Sequence, residues 1–340
     1  MHEAVRSTLA AAAVVLLMIY ALGQGIITLG FGETLSYLWL TVTDPTGAGS
    51  IRQDVLQYLR LPNFVISFLV GAGLSVTGAV MQAVVRNPLA DPYLLGVSSG
   101  ASLGAVLAIA LGVGSLFGMD GTGACAFLGA GAASLLILVI ASVTRRSGGS
   151  LTLLLAGFAL NAACSAAVSF IVAALAEPSK TRSIQFWMMG GIVTGGWMSA
   201  LTLLLITTAG VLYFCTQRRI LDLMLVGDEL SLSMGRDLAR YRKLYIAVTA
   251  LMVGAAVYTA GMIGFVGLLV PHVVRLVTGS THRRVIPMSA LVGGVFLACA
   301  DILRRNILPG MELPIGIATA LVGAPLFLWM LLRRKYGGAS

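Results

Sequence analysis

The chain has 340 residues, of which 58% are hydrophobic and only 10% charged. Soluble globular proteins carry about 25% charged residues, so a water-soluble architecture is excluded. The balance of 22 Lys and Arg against 13 Asp and Glu gives a net charge of +9, and its distribution along the chain explains it without a nucleic-acid partner.

Ten apolar stretches follow one another, at about 8–29, 61–84, 92–113, 119–143, 150–174, 196–216, 241–260, 264–279, 284–305 and 313–334. A helix needs about 20 apolar residues to cross a bilayer, and the eighth stretch is short. Backbone in lipid has no partner but itself, so these spans are predicted as helices. Barrel strands would alternate polar and apolar residues, and these do not. The expected fold is all-α and polytopic, with residues 1–340 as a single transmembrane domain. Arg6 ahead of an apolar run, with Ala21 and Gly23, resembles a signal peptide. The run continues to Ile27 and nine spans follow, so an uncleaved first span is expected.

Between the first two spans, Ile51, Val55, Leu56 and Leu59 share one helical face, predicting a short helix on the outer surface over 51–60. Arg60 then stands at the mouth of the second span. After that span comes Arg86-Asn87-Pro88-Leu89-Ala90-Asp91-Pro92. Its two prolines stop one helix and start the next, and taken alone it reads as a tight hairpin. The longest inner connection, 217–240, mixes both charge signs with Leu and Met and is punctuated by Gly227 and Gly235. It reads either as short amphipathic helices offering Leu230, Leu232 and Met234 to a cytoplasmic partner, or as a helix lying on the membrane. Arg304 and Arg305 close the ninth span. They and Arg60 suit either the carboxylates of an external partner or lipid headgroups.

With both termini in the cytoplasm, only Arg52, Arg60, Lys180, Arg182, Arg304 and Arg305 of the 22 basic residues lie outside. The positive-inside rule favours that orientation, and the net charge is topological. Arg60, Gly71, Gly78, Pro88 and Gly96 recur at one constant spacing as Lys243, Gly254, Gly261, Pro271 and Gly279. This predicts a duplicated unit, spans 2–5 and 7–10, inverted because the second and seventh spans run in opposite directions. Clusters at Gly71, Gly73 and Gly78, at Gly261, Gly264 and Gly267, and the GxxxG pairs Gly114–Gly118 and Gly191–Gly195 are expected at close helix crossings.

Among the acidic residues only Asp120 and Asp301 fall within predicted spans, each near an end. Ion-driven carriers usually place ionisable groups near the midplane, so an ion-coupled secondary transporter, the rival class, is disfavoured. The chain has no HExxH and no Walker A around Lys180, Lys243 or Lys335. Cys125, Cys164, Cys215 and Cys299 stand singly in apolar spans and read as buried free thiols. No metal site is expected.

Several strings together resemble the FecCD family of ATP-binding-cassette importer permeases. They include Arg60-Leu61-Pro62, Gly78-Ala79-Val80-Met81-Gln82, Asn87-Pro88-Leu89-Ala90-Asp91-Pro92, Gly264-Phe265-Val266-Gly267-Leu268, Pro271-His272, Arg275, His282-Arg283-Arg284 and Glu312-Leu313-Pro314-Ile315-Gly316. The resemblance implies a ten-span subunit, two of which (identical or paralogous) enclose one pathway in the bacterial inner membrane. Two cytoplasmic ATPases would hold ATP and Mg, none being bound by this chain, and would grip 217–240 at Gly227, Asp228, Glu229, Leu232 and Gly235. A periplasmic binding protein would dock at Arg60, Asn63 and Arg305, with Asn63 standing where the family often has Arg. The inner gate would comprise Asn87, Leu89, Ser150 and Leu151, Leu151 being a departure from the small hydroxyl residue common in the vitamin permease. Asn161 and Ser165 would line the pathway. Iron–siderophore is the family's commonest cargo and therefore the expected one, with haem and cobalamin as alternatives.

Overall fold

In the computed structural model, residues 2–24, 28–43, 50–116, 119–143, 150–174, 177–192, 196–235, 238–307 and 313–336 are described. The elements are helices α1 (His2–Gly23), α2 (Phe31–Thr43), α3 (Ile51–Asp54), α4 (Leu61–Val85), α5 (Val97–Leu111), α6 (Gly121–Val143), α7 (Ser150–Ala174), α8 (Pro178–Met188), α9 (Trp197–Thr216), α10 (Arg218–Val226), α11 (Asp228–Ser233), α12 (Leu238–Ala260), α13 (Val266–Thr278), α14 (His282–Ile307) and α15 (Ile315–Tyr336). A two-residue hairpin, β1 (Ser115–Leu116) with β2 (Met119–Asp120), joins α5 to α6. Among the described residues six helices are long and apolar enough to cross a membrane. Shorter apolar helices occupy Ala12–Gly23, Val97–Leu111, Val266–Thr278 and Ile315–Met330. These ten helices match the ten predicted stretches.

Residues 51–60 do not form a separate surface helix. They run straight into the second span as one helix, Ile51–Val85, through a π-helical segment at Val55–Arg60. The buried face is Gln53, Leu56, Gln57 and Arg60, while Ile51 and Leu59 are exposed. The wider π turn changes which residues share a face. Trp197 at the start of α9 donates its indole N–H to the Gln57 carbonyl at 3.1 Å, giving the segment a partner from outside its own helix.

The Ile51–Val85 helix is the hub. Its apolar window is 89% buried, and α4 packs against α9, α12, α13 and α14. Glycine allows these approaches. A Cβ on Gly71 would lie 2.1 Å from the Gly293 carbonyl oxygen of α14, and one on Gly78 would lie 1.9 Å from that of Gly267 in α13. Gly100 and Gly129 cross in the same way between α5 and α6. Small residues permit such backbone contact, and dispersion at close range then holds helices together in lipid. Of the two GxxxG pairs, Gly118 and Gly195 lie outside the described residues, and the other two glycines do not act so. Gly114 and Gly191 lie in connections rather than helices and face open space. Of the thiols, Cys164 is buried but Cys299 is exposed on the bundle surface.

The duplication is visible in the elements more than in the matched residues. Helices α4, α5, α6 and α7 run long, short, long, long, and α12, α13, α14 and α15 repeat that order. Gly71 and Gly254 both sit within helices against a neighbour. Gly78 is inside α4, whereas Gly261 ends α12 in the left-handed region at φ +62. Pro88 lies in a turn and Pro271 inside α13. A constant spacing does not superimpose the two units, because α12 stops sooner than α4 relative to its glycines.

Candidate functional site

The bundle has two polar ends. One carries Arg86, the 217–240 connection and the start of α14. The other carries Arg60, Asn63 and the end of α14.

At the first end Arg86 closes α4 in the left-handed conformation, φ 55. The turn after it is self-bonded: the Asn87 side-chain carbonyl accepts the Leu89 N–H at 2.9 Å, and the Asp91 carboxylate accepts the Tyr93 N–H at 2.9 Å, capping a 3-10 turn over Pro92–Leu95. Burial pushes the Asp91 carboxyl up to about 6, although its hydrogen bond from Tyr93 works the other way. Burial, then the neighbouring Asp91, raises the Tyr93 phenol. Leu89 is 39% exposed at the tip of the turn. The 3-10 turn packs against α7. The predicted gate partners Ser150 and Leu151 begin α7, and their side chains lie outside the described residues.

Beside this turn the 217–240 connection forms the predicted short helices, α10 and α11. Leu221 and Met224 of α10 are fully buried, and α10 packs against α4 and α14. Gly227 separates the two helices at φ +127, a conformation L side chains rarely adopt. A Cβ there would stand 3.5 Å from an Arg86 Nη1. The buried Ser231 hydroxyl donates to the Gly227 carbonyl at 2.6 Å. Val226, Leu232 and Met234 are exposed, as is Gly235. The side chains of Asp228, Glu229 and Leu230 lie outside the described residues.

At the opposite end Arg60 is buried, 7% exposed, and its guanidinium donates to the Leu22 carbonyl at 2.7 Å. It is not the freely exposed arginine expected from its place at a span mouth. The π turn rotates it inward, against the end of α1. Arg305 pairs with the buried Asp301, which also takes the Nε–H of Arg304 at 2.7 Å. Arg304 donates in addition to the Leu313 carbonyl at 3.2 Å. Asn63 and Arg304 open onto a cavity of about 440 Å³, walled further by Trp187, Gly190 and Pro314. Asn161 and Ser165 are exposed on α7, together with Leu155, Phe158 and Phe170. Among the described residues no cluster of His, Cys, Asp and Glu suits a metal ion.

The residues that tie the first end together escaped sequence reasoning. Asp222 of α10 bonds to His282 at the start of α14, and Arg275 of α13 bonds to Gln82 of α4. His282 and Arg275 stood in recognised strings, but only folding shows their partners.

These features define a multi-pass helical membrane protein with a loop of short amphipathic helices at one end. The FecCD transport family profile matches residues 13–333, and the chain belongs to that family. It is similar to the vitamin B12 import system permease protein BtuC of Citrobacter koseri, 40% identical over 277 residues covering 82% of each chain. The Klebsiella pneumoniae protein of that name is 40% identical over 280 residues, 82% of this chain and 83% of the other. Among solved structures, an inward-facing conformation of a metal-chelate type ABC transporter superposes with a TM-score of 0.82 at 29% identity, covering 95% of this chain and 97% of that one. PsaBC from Streptococcus pneumoniae, in complex with Fab, gives 0.56 at 18% identity over 81% and 92%, a likeness of fold alone. The chain is thus a permease subunit of a FecCD-type ABC importer and not itself catalytic. That class works with an ATPase and a binding protein.

Proposed function

We propose that this permease carries a corrinoid of the cobalamin type, as one of two permease subunits around a shared pathway in the bacterial inner membrane. The observation that carries the cargo is the 40% identity to vitamin B12 permeases over 82% of the chain. It favours cobalamin over the iron–siderophore expected from family frequency. The fold likeness to a metal-chelate type transporter keeps a ferric chelate as the second reading. Binding of cyanocobalamin, haem and a ferric hydroxamate to the cognate binding protein decides between them. Tight binding of the ferric chelate with none of cyanocobalamin would overturn the corrinoid reading.

The Arg86 end faces the cytoplasm in this reading, as do both termini, in accord with the positive-inside rule. Two ATPases, which hold the ATP and Mg, grip the exposed Val226, Leu232 and Met234 together with Gly227, Asp228, Glu229 and Gly235. A buried face (Leu221, Met224) anchoring the pair and an exposed apolar face beside it support a helix-in-groove contact. The exposed face of α7, with Asn161 and Ser165, borders the pathway against the second subunit. Asn87 and Leu89, with Ser150 and Leu151, form the cytoplasmic gate. At the other end Arg305, with Asn63 and the buried Arg60 behind it, receives acidic groups of the binding protein. Family membership sets aside an ion-coupled carrier. Asp228→Lys with Glu229→Lys is expected to release the ATPase on co-purification, and retention of the ATPase would refute the coupling assignment.

A further inference from the structure

The α10 helix is attached to the bundle by two kinds of contact. Leu221 and Met224 are apolar and fully buried, and such contacts are non-directional. Asp222 makes the directional one. Its Oδ1 accepts the backbone N–H of His282 at 2.9 Å and the ring Nδ1–H of the same residue at 2.7 Å. The His282 ring is fully buried. A second polar tie lies next along the same end. Arg275 of α13 donates to the Gln82 side chain and, at 3.3 Å, to the Ala79 carbonyl, while Gln82 returns a bond to the Leu268 carbonyl at 3.2 Å. Gln82 lies in the last turn of α4, just before Arg86 and the Asn87–Leu89 turn.

We propose that Asp222 and His282 are the positioning residues through which movement of the 217–240 helices enters the bundle. Pinning α10 to the first residue of α14, they make the two move as one. The neighbouring Arg275–Gln82 tie locks α13 to the end of α4, and α13 packs on α14. Displacement at α10 therefore reaches the turn after α4 rather than being lost to sliding. Although the Asp222 side chain is 38% exposed, its partner ring is fully buried, and two hydrogen bonds of defined distance and direction fix the register of α10 on α14, which non-directional apolar contact does not. This inference rests on the reading of 217–240 as the ATPase contact.

The test uses the complete importer in lipid nanodiscs, with its ATPase and binding protein. The readout is the ratio of ATP hydrolysis with and without the binding protein, a signal that must cross the permease from one end to the other. Asp222→Ala is expected to bring that ratio to unity while the ATPase still co-purifies and the thermal midpoint of the complex is kept. Asp222→Asn, whose amide oxygen accepts the same two hydrogens, is expected to keep the parent ratio. Should Asp222→Ala fail to assemble, Asp222→Cys with His282→Cys in a background lacking the native cysteines gives the same answer. There a short bis-methanethiosulfonate, which bridges the two thiols through disulfides, is expected to restore the ratio and reduction of those disulfides to abolish it. A parent-like ratio in assembled Asp222→Ala, or a lost ratio in Asp222→Asn, would overturn the proposal. The Asp228→Lys and Glu229→Lys variant keeps the two readings apart: a retained ATPase there overturns the loop contact, whereas the Asp222 arm judges the tie alone.

Discussion

The crossing of α4 and α13 at Gly78 is a close approach of backbone on backbone, and it makes a quantitative prediction. A methyl group at Gly78 would stand 1.9 Å from the Gly267 carbonyl oxygen and 2.6 Å from its carbonyl carbon and Cα. All three are backbone atoms, so no side chain can swing aside. Restoring a contact of 3 Å parts the helices by about 1 Å, which forfeits up to about half of the dispersion energy at each adjoining contact. Overpacking of this kind costs about 1–3 kcal/mol, against a gain of about 0.5–1 kcal/mol for alanine over glycine in a helix. The net expectation for Gly78→Ala is a loss of about 0.5–2 kcal/mol. Gly73 supplies the control, five residues earlier in the same helix. A methyl there would meet Thr207 at 3.5 and 3.6 Å, ordinary contact distances, so Gly73→Ala is expected to stabilise by about 0.5–1 kcal/mol. The two variants should therefore differ by about 2 kcal/mol, more than tenfold in the unfolding equilibrium. Reversible SDS titration in mixed micelles, followed by tryptophan fluorescence, measures both. Equal midpoints for the two would refute the argument from backbone contact.

Three further outcomes follow from other parts of the molecule. Asp301→Asn leaves the largely buried Arg304 and Arg305 without their carboxylate, and should cost about 3 kcal/mol, read as a lower thermal midpoint in detergent. The Asp91 carboxyl is raised from 3.8 to about 6 by burial. The folded state then holds a proton that the unfolded chain has lost, so stability contributed here falls as pH rises from about 4 to 6. Asp91→Asn keeps an acceptor for Tyr93 and should flatten that dependence, raising the midpoint above the parent at pH 7 but not at pH 4. Finally, Arg305→Glu should slow association with the binding protein at low ionic strength, with the difference shrinking as salt is added. Biolayer interferometry on nanodisc-embedded complex reads this directly, and a salt-independent difference would point away from electrostatic docking.

Composition alone settled the solvent of this protein, because a backbone in lipid has only helices with which to satisfy itself. The ten apolar helices, the shortness of the eighth, the break after Arg86 and the amphipathic pair in 217–240 were all legible in the linear pattern. So was the family, since its strings occur in order. Other features depended on which groups meet in space. Nothing in Arg60 itself says that a π turn carries it inward to the Leu22 carbonyl. The glycines of 71 and 78 announce close packing, but so do those of 114 and 191, which face open space. Local spacing cannot tell a helix crossing from a loop. The tie between Asp222 and His282 spans sixty residues of sequence, and a carboxylate chooses its partner only once the chain has brought one within hydrogen-bond reach. Periodicity and composition reflect the surroundings a segment must satisfy, and they survive in one dimension. Pairwise polar contacts depend on rotation and register between helices, which packing of the whole bundle decides.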